Sequence, residues 1–238
     1  MSILALIDHA VLLPTQTEND LRDACAMCAK LAVASVCVKP SMVPLATELL
    51  AGSQTSPSTV VGFPHGGTST ACKVRETDVA CAQGAREVDM VVNIGRVLAK
   101  DWDFVESDIR AVNEAARSAD AIVKVIFETG LLSDDDLKIR LCGICEHAEV
   151  AFVKTSTGFG FVKDAQGAFV STGATVHDVQ LMREHCSTKV QVKASGGIRS
   201  YADAQRFVAL GATRLGTSGT QAIAQGEQGE SNKSHEGY

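Results

Sequence analysis

The stretch AFVKTSTGFG, Ala151 to Gly160, opens as a short apolar strand with a lysine inside it. The same form recurs in IVKVIFETG, Ile122 to Gly130, and in VQVKASGGIR, Val190 to Arg199. Each run is β-branched, of strand length and closed by a glycine-containing turn, the pattern of a buried strand. Stability alone does not place an ammonium group inside such a strand, because a buried charge is costly unless paired. Three such strands call for a fold that gathers their lysines, and for a chemistry that uses them.

Working outward, apolar runs alternate with amphipathic stretches along the whole chain. Strands are predicted at Leu4–Ile7, Val36–Lys39, Thr59–Phe63, Val88–Asn93, Ile122–Phe127, Phe152–Thr155, Val190–Ala194 and Leu215–Gly216. Helices are predicted at Glu18–Ala32, Met42–Ala51, Ala71–Gly84, Phe104–Ala119, Asp134–His147, Val176–Cys186, Tyr201–Leu210 and Thr220–Ala224. Ser133, Thr175 and Ser200 stand where N-caps belong, with aspartates following, and Gly52, Gly84 and Gly211 stand at helix ends. Eight β-then-α units in 238 residues fit a closed parallel (β/α)8 TIM barrel, typically about 250 residues long. An open doubly wound sheet is the alternative, but no Gly-x-Gly-x-x-Gly follows the first strand. Residues 1–224 are read as one barrel domain and 225–238, polar and Gly-rich, as a flexible C-terminal tail.

In such a barrel the site lies at the C-terminal ends of the strands, and side chains alternate inward and outward. On REVDMVVNIG the apolar Val88, Met90 and Val92 belong outside against helices, so Asp89 points inward with Glu87 on the same face. Asp8 sits near the end of the first strand. The inferred interior holds Asp8, Asp89, Lys124, Lys154 and Lys193. Two carboxylates against three lysines leave one positive charge unpaired, and desolvation with like-charge repulsion favours one neutral amine. A neutral lysine attacks carbonyls to form a Schiff base. The alternative is an inert ion-pair network, which perturbs the same groups. No inward-pointing arginine is expected on these strands.

Glycine-rich turns follow the sixth, seventh and eighth strands: TSTG, SGGIRS and GTSGTQAI. Loops after the last two strands and a short helix N-terminus are a frequent phosphate site in these barrels. Thr157, Gly158, Gly196, Gly197, Gly216 and Ser218 are the expected cradle. Metal chemistry has little support. None of the six histidines form a ligand pair at useful spacing, and no metal or cofactor is expected. Cys25/Cys28 and Cys142/Cys145 are Cys-x-x-Cys pairs, but inside helical patterns, where they read as core residues.

The composition is 45% hydrophobic and 21% charged, with a net charge of −6. This argues against disorder and against a nucleic-acid surface. No run reaches the roughly 18 apolar residues of a membrane span, and the N-terminus lacks the basic region of a signal peptide. A cytoplasmic, reducing location is expected, with small molecules as partners.

Taken together, EVDMVVNIG, KVIFETG, FVKTSTGFG and VKASGGIR, in this order, resemble the deoxyribose-phosphate aldolases over nearly the whole chain, from LIDHAVL to GTSG. The resemblance implies a class I aldolase that splits 2-deoxy-D-ribose 5-phosphate into acetaldehyde and D-glyceraldehyde 3-phosphate, in deoxyribose phosphate catabolism. It assigns the Schiff-base lysine to Lys154, the lysine that tunes it to Lys193 and the proton-transfer aspartate to Asp89. The residues alone do not rank Lys154 above Lys193. Asp8, Cys37 and Lys124 are expected to contact substrate. Phe159 stands where some relatives carry lysine, so the cradle is expected to rely on amides and Ser218. Tyr238, at the end of the tail, is a candidate proton relay. The assembly is left open, a homodimer among the options.

Overall fold

The lysine-bearing runs lie side by side in a closed ring of parallel strands. The computed structural model describes residues 2–235. Its barrel strands are β1 (Ile7–Val11), β2 (Ser35–Val38), β3 (Ser56–Val61), β4 (Glu87–Val91), β5 (Ile122–Ile126), β6 (Phe152–Lys154), β9 (Gln191–Ser195) and β10 (Arg214–Thr217). β10 pairs with β1 to close the ring. The remaining two, β7 (Phe161–Lys163) and β8 (Phe169–Ser171), form a separate antiparallel hairpin. The helices are α1 (Glu18–Leu31), α2 (Val43–Leu49), α3 (Thr70–Ala82), α4 (Ile94–Leu98), α5 (Trp102–Arg117), α6 (Asp135–His147), α7 (Val176–His185), α8 (Tyr201–Ala209) and α9 (Thr220–His235). This is the predicted (β/α)8 architecture.

Most helices turn an apolar stripe toward the strands; α3 instead buries Lys73 and Thr77, with Lys73 paired to Asp108. On α5, Val105, Ile109, Val112 and Ala116 recur at helical spacing and all are buried. The outward strand residues Val88, Met90, Val123, Val125, Val153, Val192 and Leu215 meet these stripes with no exposure. The Cys-x-x-Cys residues Cys25, Cys28, Cys142 and Cys145 are buried in α1 and α6 as core side chains. Among the described residues no helix is long and apolar enough to cross a membrane.

Several boundaries differ from expectation. The first strand is not Leu4–Ile7. Ile3–Leu6 is a 3-10 turn capped by the Ser2 hydroxyl, and β1 starts at Ile7. Apolar residues alone did not separate a turn from a strand there. The last strand begins one residue earlier than predicted, at Arg214. The last helix does not stop at Ala224 but continues to His235, so the stretch from 225 begins as helix. Gly226 packs α9 closely on Tyr201, and Glu227 accepts hydrogen bonds from Ser2 Oγ (2.7 Å) and Ile3 N (2.8 Å). These contacts hold a sequence with weak helical preference. Tyr238 lies outside the described residues.

Candidate active site

Strand register explains how residues far apart in sequence meet. Asp89 on β4 stands level with Lys124 on β5, and Lys154 on β6 stands level with Lys193 on β9. All four point into the barrel. Lys154 Nζ donates to Asp89 Oδ2 at 2.8 Å, Lys193 Nζ to the same oxygen at 2.7 Å, and Lys124 Nζ to Asp89 Oδ1 at 2.7 Å. Lys193 also donates to Asp8, while Lys124 reaches Glu87 at 2.7 Å and Asp8 at 3.2 Å.

The predicted interior was incomplete at its closed end. Glu87, one alternation before Asp89, joins the cluster through Lys124 and Arg214. An inward arginine does exist: Arg214 donates to Asp8 Oδ1 and to Glu87 Oε2 (2.7 Å). Starting the last strand at Leu215 had left it out. The count becomes three carboxylates, Asp8, Glu87 and Asp89, against four cations, Lys124, Lys154, Lys193 and Arg214. One positive charge is still in excess.

The contacts also rank the amines. Lys124 touches three carboxylates and Lys193 touches two, whereas Lys154 touches only Asp89. Lys154 is therefore the amine whose proton is least well held. Burial, with the neighbouring Lys193, lowers its pKa against the opposing pull of Asp89. Burial works the same way on Lys193, but Asp8 and Asp89 outweigh it and raise that pKa. Asp89 also feels burial, which the three surrounding lysines override, holding its carboxyl well below the usual range.

Above this cluster opens a cavity of about 260 Å³, at the small end of ligand sites. Lys154, Lys193, Asp8 and Cys37 line its floor, and Thr157, Gly158, Gly196, Gly197, Gly216 and Ser218 line its walls. The expected phosphate cradle and the least-held amine thus share one space. Lys124 and Asp89 do not line it. Lys124, expected to contact substrate, is fully buried beneath, held by carboxylates and Ser58.

The walls are held from behind. Gly173 and Gly196 pack backbone to backbone, where a Cβ on either would lie within 2.7 Å of the other chain segment. Thr157 N–H and O–H both point at the buried carboxylate of Glu128, and Phe159 N–H donates to Thr157 Oγ1 at 2.9 Å. Thr157 therefore shapes the wall rather than offering a free amide. Glu128 has a left-handed backbone, φ 57°, and burial raises its pKa. Sequence reasoning missed it, because FETG reads as an ordinary turn. It also missed Arg199, which lines the cavity and gives the rim a cation. Phe159 itself stacks edge-on against Phe63.

Asp135, His177 and Asp178 form the one group with metal-ligand geometry among the described residues. Lys138 already donates to both aspartates, at 3.0 and 2.7 Å, and none of the three lines the cavity.

The family model for DeoC/LacD family aldolases matches residues 2–224. This chain belongs to the DeoC/LacD aldolase family. The deoxyribose-phosphate aldolase of Carboxydothermus hydrogenoformans is 46% identical over 226 residues, covering 94% of each chain. That of Clostridium perfringens strain 13 is 43% identical, covering 95% of this aldolase and 96% of the relative. Among solved structures, the tetrameric deoxyribose phosphate aldolase of Aeropyrum pernix superposes with a TM-score of 0.84 at 27% identity, covering 95% of this chain and 91% of that one.

Proposed function

We propose that this aldolase cleaves 2-deoxy-D-ribose 5-phosphate reversibly to acetaldehyde and D-glyceraldehyde 3-phosphate through a Schiff base on Lys154. The observation that carries the reading is the pairing, in one small cavity, of the least-held buried amine with a glycine-walled anion cradle. The names of the relatives support the choice of substrate.

Neutral Lys154 Nζ attacks C1 of the open-chain sugar. The carbinolamine loses water as Asp89, through Lys193 or a water, shuttles the proton. A water in the cavity takes the proton of the C3 hydroxyl, the C2–C3 bond breaks, and its electron pair moves into the iminium to leave an enamine. Glyceraldehyde 3-phosphate departs. Protonation of the enamine carbon and hydrolysis release acetaldehyde and restore the amine. Gly158, Gly197 and Ser218, with Arg199 at the rim, hold the phosphate and set the distance from C1 to Lys154. A cytoplasmic location in deoxyribose phosphate breakdown follows from the same reading.

A different phosphorylated aldol and a silent sugar-phosphate sensor are the rival readings. A coupled assay for glyceraldehyde 3-phosphate, with borohydride reduction in acetaldehyde and intact mass, tests all three. Turnover with a reduced adduct supports the proposal. An adduct without cleavage of 2-deoxyribose 5-phosphate points to another aldol, and binding without an adduct points to the sensor.

A further inference from the structure

The excess positive charge that frees an amine depends on a residue that touches neither the cavity nor Lys154. Arg214 is the first residue of β10, at the closed end of the barrel, and its side chain is 13% exposed. Its guanidinium bonds Asp8 and Glu87 and lies over the Phe152 ring at 5.0 Å. We propose that Arg214 is a positioning residue for the amine chemistry: by sharing Asp8 and Glu87 with Lys124 and Lys193 from below, it adds a fourth cation to three carboxylates and leaves Lys154, which touches only Asp89, the surplus one. The inference rests on the reading of Lys154 as the nucleophile.

Apart from Glu128, whose carboxylate is taken up by Thr157, the interior without Arg214 holds three carboxylates and three lysines, and every lysine has a counterion. With it, one cation is unpaired, and that cation cannot be Arg214, because a guanidinium keeps its proton in proteins. Deprotonation therefore falls on a lysine, and the contacts select Lys154. The effect is indirect. The groups that face Lys154 are Asp89 from β4, Lys193 from β9, Cys37 from β2 and Glu128 beyond β5. Arg214 faces Asp8 from β1 and Glu87 from β4, with Lys124 on the far side of both. Removing Arg214 leaves Asp8 and Glu87 to draw Lys193 and Lys124 downward. Asp89 is then left to Lys154, whose proton is held more tightly.

The test is the pH dependence of kcat and of acetaldehyde trapping by cyanoborohydride in three variants. Arg214→Met moves the acid limb of both profiles to higher pH, with about a tenfold loss near neutrality that is recovered at alkaline pH, since one pH unit is tenfold. KM for the phosphorylated sugar stays within about twofold, and Arg214→Lys restores the wild-type profile only in part, because an ammonium there can itself give up the surplus proton. Glu87→Gln, which removes a negative charge from the same cluster, moves the limb the other way, to lower pH. This second variant keeps the test open if Arg214→Met does not fold. A uniform loss of rate with unmoved profiles, or shifts of the same sign in Arg214→Met and Glu87→Gln, overturns the role of Arg214. Wild-type trapping at a residue other than Lys154 instead overturns the underlying reading.

Discussion

At the scale of single residues, the site works by unequal sharing. Three lysines compete for Asp89, and the two that also hold other carboxylates keep their protons. Lys193→Ala removes a like charge beside Lys154 and frees Asp89 to pair with it. The acid limb of the kcat profile should move up by about one pH unit. An unmoved profile with only weaker substrate binding would contradict the tuning role. Glu128 acts on the other wall. Glu128→Ala releases Thr157 and should raise KM for the phosphorylated sugar about tenfold, the scale of one lost charged hydrogen bond. Acetaldehyde trapping near neutral pH should not fall, because losing a carboxylate that faces Lys154 only lowers the pKa of that amine. A fall in trapping instead would place Glu128 in the amine chemistry.

At the scale of elements, caps and turns fix where helices begin around the mouth. Ser200 and Thr17 both form reciprocal capping boxes, with Asp203 and Asp20. Ser200→Ala and Thr17→Ala should each cost about 1 kcal/mol in urea unfolding. A change near zero would mean that tertiary packing alone sets these helix starts. The same local signals made much of the architecture legible. Ser200 and Thr175 are N-caps as read, and Gly52, Gly84 and Gly211 take positive φ at helix ends. Asp134 rather than Ser133 caps α6, since several polar residues there compete for one role. What was not legible depended on tertiary contact. The hairpin β7–β8 was missed because Phe161, Phe169 and Val170 remain exposed, so no alternation marks a buried face. Its turn chemistry was present, however. Asp164 Oδ1 accepts from Gln166 N and Ala168 N, and Gly167 has φ 80°. Arg214 and Glu87 were hidden by a strand boundary and by counting only the upper layer.

At the scale of the whole molecule, the buried charges tie stability to pH in two windows. His9 is buried against Thr220, and burial lowers its pKa from 6.5 to about 4. The unfolded chain therefore binds a proton that the fold resists. The contribution of His9 is full above about pH 6.5 and falls by roughly 3 kcal/mol on acidification toward pH 4. Asp8 and Asp89 are held below their ordinary values by Lys124, Lys193 and their neighbours, despite burial. Their contribution is present above about pH 4 and is lost on further acidification. Urea midpoints between pH 7 and 4 should drop for the wild type and drop less for His9→Asn. Equal slopes would assign that window to other groups.

The most direct test of the account is the identity of the trapped amine. The protein is reduced with borohydride in acetaldehyde, digested, and its peptides are weighed. The expected result is a two-carbon adduct on Lys154, none on Lys193, and none anywhere in the site of Lys154→Ala. An adduct on Lys193 in the wild type would show that the ranking by carboxylate contacts is reversed, and with it the role given to every charge in the barrel.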